Sequence, residues 1–91
     1  MKHDEELLNM AINTWGPETQ TKMVLEEMAE LQKEICKSWR GKDCSESIAE
    51  EVADVEIMLD QLKMMLNIES KVAQYRRKKL LRLEQRLEEQ Q

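Results

Sequence analysis

Strong helix breakers occur at only two places in this 91-residue chain: Gly16 with Pro17, and Gly41. Two glycines and one proline leave few sites for turns, so the intervening stretches must form long regular elements. There is no Phe and a single Tyr. β structure needs more turn chemistry and more β-branched and aromatic residues than this. The expectation is an all-α chain forming one domain over residues 1–91, its interior filled by Leu, Met, Ile, Val and Ala.

Apolar spacing predicts four helices. The first runs from about His3 to Thr14, with Leu8, Ala11, Ile12 and Trp15 at helical intervals. In "WGPE" at 15–18, Gly16 ends that helix and Pro17 begins the next. The second runs from about Glu18 to Trp39 on the stripe Val24, Met28, Leu31 and Ile35. "RGKDCSES" at 40–47 makes the second turn, with Asp43, Ser45 or Ser47 as the cap, and Ser47 with Glu50 as a potential capping box. The third continues to about Leu66 with Ile48, Val52, Val55, Leu59, Leu62 and Leu66. "NIES" at 67–70 turns the chain again, and a fourth helix from about Ser70 carries Val72, Leu80, Leu83 and Leu87. Short connections imply antiparallel neighbours, hence a four-helix bundle.

The third helix has a second apolar set, Ala49, Ala53, Ile57 and Met64, roughly opposite its main stripe. A helix apolar on two sides is buried on two sides. In so small a chain this predicts assembly into a homo-oligomer through helix faces.

Several classes are excluded. No apolar run approaches the roughly 20 residues of a membrane span, and "MKHDEELLNM" lacks the apolar stretch of a signal peptide. The net charge of −5 argues against nucleic acid as the main partner and fits a soluble cytoplasmic protein. Cys36 and Cys44 do not have zinc spacing and are expected as reduced thiols. His3 is the sole histidine, which rules out a histidine-based metal site or a Ser–His triad.

Carboxylates are crowded twice, in "LEEMAE" at 25–30 and "EEVAD" at 50–54. Like charges three or four residues apart on a helix repel by roughly 0.2–0.5 kcal/mol per pair. With about 100° per residue, Glu27 and Glu30 fall about 60° and 120° to one side of the second helix's stripe. Glu51 and Asp54 take the same positions on the third. Antiparallel packing would converge these four acids at the edge of the core. Glu26 and Glu50 lie further round, nearer solvent. Four carboxylates without His or Cys make a hard-oxygen site suited to Mg²⁺, with Mn²⁺ or Ca²⁺ as alternatives. The plainer reading is a solvated acidic face.

"YRRKKLLRLEQR" at 75–86 is strongly basic, with Lys79, Arg82 and Arg86 in one row. Such a row could hold phosphates over metal ions, pair with neighbouring acids, or form a nonspecific nucleic-acid patch. No P-loop motif is present.

"EEMAE" followed by "EVAD", with residues 31–50 between Glu30 and Glu51, resembles the EExxE…ExxD signature of the MazG-like all-α nucleoside triphosphate pyrophosphohydrolases. "KLLR" at 79–82 resembles the basic stretch after ExxD in that family, and the likeness spans roughly residues 8–86. Ala53 stands where some members have Gly. The resemblance implies a four-helix fold assembling as a dimer or tetramer, with Mg²⁺-dependent cleavage of a nucleoside triphosphate to a monophosphate and pyrophosphate. It implies Glu27, Glu30, Glu51 and Asp54 as metal ligands, Glu26 as the residue orienting ligands or water or taking its proton, and Lys79 and Arg82 on the phosphates. Trp15 and Trp39 are candidates for stacking on the base, or else core residues. A helical interaction module and a basic-tail nucleic-acid binder are the non-enzymatic alternatives.

Overall fold

Helix ends are set by a few backbone devices. The computed structural model describes residues 2–90, in the order α1 (Lys2–Trp15), α2 (Pro17–Trp39), α3 (Ser45–Leu66) and α4 (Glu69–Glu89). Among the described residues there is no strand, and no helix is long and apolar enough to cross a membrane. Gly16, at φ +89°, separates α1 from Pro17 at the start of α2.

The two long helices end alike. Beyond α2, the Gly41 amide donates to the Ser38 carbonyl at 3.1 Å and Lys42 to Lys37 at 3.4 Å. Beyond α3, Asn67 donates to Met64 at 3.2 Å and Ile68 to Lys63 at 3.0 Å. Both are Schellman closures, which need a left-handed residue; Gly41 (φ +94°) and Asn67 (φ 56°) supply it. At the start of α3, Asp43 Oδ1 accepts from the Ser45 amide at 3.2 Å and hydroxyl at 2.9 Å. The helix thus begins two residues before Ser47, and the anticipated Ser47–Glu50 capping box does not form. Ser47 instead faces Glu34 of α2, whose carboxyl it helps to hold below its ordinary value. Ser70 is no cap either, because α4 already begins at Glu69.

α2 and α3 are the most closely packed pair, and they run antiparallel. Gln20 meets Gln61, and Glu34 meets Ser47. This register sets Glu27 against Asp54 and Glu30 against Glu51. Val24 and Met58 supply the apolar layer beside the glutamines and, with Cys44, are the buried apolar residues among those described.

The seam is not centred on the predicted stripes. On both helices it lies about 60° round from the stripe centre, on the acidic side. Met28 and Ile35 on α2, and Val52, Leu59 and Leu66 on α3, are consequently exposed. The helices are antiparallel and rotated in the same sense, so both stripes emerge on one side of the pair.

α1 packs on both α2 and α3, with Leu8, Ala11 and Ile12 half-buried. It shares a cleft with Met64, lined also by Leu8 and Lys63. Met64 therefore faces its own chain's α1, while Ala49, Ala53 and Ile57 of the same expected face are exposed.

Among the described residues, α4 touches α3 alone. Val72 is half-buried near its start, and every described residue beyond it is exposed. At 21 residues the helix is about 32 Å long. The radius of gyration is 16.4 Å, against about 12 Å for a compact chain of this length.

Candidate metal centre

Each acid owes its place to the α2–α3 register. Glu27 follows buried Val24 by three residues, and Asp54 and Glu51 precede buried Met58 by four and seven. All three are carried to the seam one or two turns from an apolar anchor. Carboxylate oxygens of Glu27, Glu51 and Asp54 lie within 4.8 Å of one another. Glu27 and Glu51 are half-buried and Asp54 is exposed, so the group opens to solvent on one side.

Glu51 sits at the electrostatic centre. Its Oε2 is buried and has no hydrogen-bond partner. Burial pushes its carboxyl above the ordinary value, the charges of Glu27, Asp54 and Glu30 push it further, and the nearby Glu27 carboxylate favours the neutral form, which could donate to it. Glu30 therefore acts on the site through its field, although it lies outside the tight group of three. Glu26 is exposed beside it.

The donor set is all oxygen. Ligands on one Mg²⁺ at about 2.1 Å must lie about 3–4 Å apart, a small side-chain closure from the present spacing. An unpaired buried carboxylate oxygen amid like charge is the environment a hard cation would neutralise. The residues fit the ion.

The other expected site residues are not gathered here. Trp15 ends α1 and is 62% exposed; Trp39 ends α2 and is 89% exposed, so neither is a core residue. Lys79 and Arg82 are exposed on α4, which makes no contact with α2.

One polar pair was not anticipated. Gln20 Nε2 donates to Gln61 Oε1 at 2.7 Å, and both residues are about 95% buried, at 5% and 4% exposure. The only signal in the sequence is their spacing from the core residues: Gln20 lies four before Val24, and Gln61 three after Met58. The pair fixes the register that opposes the acids.

No protein family, curated protein or solved structure matches the chain in comparisons of sequence and fold.

Proposed function

We propose that the chain is a Mg²⁺-dependent nucleoside triphosphate pyrophosphohydrolase. It would convert a ribo- or deoxynucleoside triphosphate to the monophosphate and pyrophosphate, in a role such as cleansing the cytoplasmic nucleotide pool, and would act as a homo-oligomer. The observation that carries the reading is the convergence of Glu27, Glu51 and Asp54 around the unpaired Oε2 of Glu51. The resemblance of "EEMAE" and "EVAD" to the MazG-like signature gives that convergence its chemistry.

Glu27, Glu51 and Asp54 would hold the ion, with Glu30 completing the negative field. When bound, Mg²⁺ supplies charge neutralisation for the triphosphate and a lowered pKa for water. Glu26 projects to solvent next to Glu27, where it can orient an attacking water and take its proton. Lys79 and Arg82 would bind phosphate oxygens, and Trp15 or Trp39 would offer a face to the base.

The test is direct. The protein is incubated with Mg²⁺ and a panel of canonical, oxidised and methylated nucleoside triphosphates, and products are separated by ion exchange. Monophosphate and pyrophosphate in equal amounts are expected, and chelation should stop their formation. Release of inorganic phosphate with diphosphate, or no turnover across the panel with Mg²⁺ or Mn²⁺, overturns the reading.

A further inference from the structure

The chain leaves two separate apolar surfaces uncovered. One is the side of the α2–α3 pair where the stripes emerge. There α2 presents Leu25, Met28, Ile35 and Trp39, all exposed, and the residues interleaved on that sector, Ala29, Gln32 and Cys36, are uncharged. Absence of charge across a contiguous exposed sector marks the centre of an interface rather than a solvated surface. The other surface is the stripe of α4, where Leu80, Leu83 and Leu87 are exposed.

The amount of exposed surface indicates what kind of partner is needed. The chain exposes 7874 Å², whereas a folded monomer of 10.8 kDa exposes about 5,500 Å². The excess, roughly 2,300 Å², matches the share of one copy in an obligate homodimer, which buries about 2,000–5,000 Å² in total.

Charge then decides the pairing. α4 carries seven Lys and Arg against four Asp and Glu, while the rest of the chain carries seven against fifteen. Two α4 helices side by side would set basic rows together, with Arg76 inside the stripe of each. On the α2 sector of a second copy, which is uncharged and belongs to a net-acidic body, Arg76 meets no like charge.

We propose that the chain is a homodimer in which α4 of each copy lays its leucine stripe on the exposed α2–α3 face of the other, centred on the charge-free sector of α2. This exchange covers both exposed surfaces in a single closed arrangement. It stands on packing and charge alone and is independent of the hydrolase reading.

Disulfide mapping between copies tests it, because Cys36 lies on the charge-free face. One full-length chain carries Cys44→Ala, leaving Cys36. A second, differently tagged, carries Cys36→Ser and Cys44→Ala with Leu80→Cys, Leu83→Cys or Leu87→Cys in turn. The two are co-expressed and mildly oxidised. A bridge forms only where Cα atoms come within about 7 Å, and a mixed dimer bridged from Cys36 to one of the α4 positions is expected. Bridging of Cys36 only to its own copy means a face-to-face α2 dimer and overturns the proposal. Bridging of α4 only to α4 means a helical pair and also overturns it.

Two further measurements close the remaining outcomes. In a chain carrying both Cys36 and one α4 cysteine, a purely intramolecular bridge shows α4 covering its own chain, against the proposal. Separately, Leu83→Glu with Leu87→Glu should halve the mass by light scattering with helicity retained by circular dichroism. A scattering mass left unchanged, or a wild-type chain that is monomeric and instead binds phosphatidylserine vesicles or duplex DNA through α4, overturns it.

Discussion

Gln20 and Gln61 share a 2.7 Å side-chain hydrogen bond in the α2–α3 seam, two helical turns from the acids it brings into opposition. Cutting one partner leaves a buried amide without its mate, at a cost of about 1–3 kcal/mol. Gln61→Leu alone should therefore lower the urea midpoint of the metal-free protein. Gln20→Leu with Gln61→Leu should recover most of the loss, since two apolar side chains replace a satisfied pair. A single variant as stable as the wild type would show that the bond contributes nothing to the seam.

Glu51 sets the pH response of the metal-free protein. Its folded pKa is raised above the unfolded value of 4.5, so between those values the folded state binds more protons than the unfolded one. Stability must then fall as pH rises through that window and stay low above it. Glu34 and Asp43 are shifted downward, by Lys37 and by Ser45. Their contributions are lost only as pH falls below the ordinary carboxylate range, on the other side of the window. Thermal melts in chelator should show stability rising as pH is lowered from neutrality toward the ordinary carboxylate value of 4.5, a rise that Glu51→Gln abolishes. An identical slope in the variant would remove Glu51 from the account.

The helices themselves were legible because their signals are local. Gly16, Pro17 and Gly41 punctuate the chain, and apolar spacing does the rest. Asn67 was legible only as part of a turn, since Asn is a weaker left-handed signal than Gly. The seam was misplaced for a physical reason. Periodicity finds the centre of apolar residues, whereas the α2–α3 seam is partly polar, built from Gln20, Glu27, Glu34, Ser47, Glu51 and Gln61. The same rotation makes the acids converge, so Glu27, Glu51 and Asp54 could be grouped from their angles alone. The course of α4 away from α2 was not legible, because its leucine stripe reads the same whichever chain it covers.

Removal of charge from the acidic layer should separate catalysis from folding. Glu27→Gln with Asp54→Asn deletes two of the three clustered carboxylates while keeping their shape. Relieved repulsion should leave the metal-free melting temperature unchanged or higher. Mg²⁺ binding by calorimetry should be lost, and turnover of any triphosphate substrate should fall by about a hundredfold or more. Marked destabilisation of the metal-free variant would instead make these acids structural.

Trp39 offers a spectroscopic report on the charge-free face. It is 89% exposed and lies on the same side of α2 as Met28 and Ile35. An indole in water emits at longer wavelength than one buried against leucine side chains. In a Trp15→Phe chain the emission comes from Trp39 alone, since these are the two tryptophans. At high concentration that emission should be blue-shifted, and dilution should move it to the red along one curve with the fall in scattering mass. Leu83→Glu with Leu87→Glu should show the red position at every concentration, because the helix covering the indole no longer docks. Red emission from a chain that scatters as a dimer would place the interface away from the C-terminal half of α2, and the charge-free sector there would need another occupant.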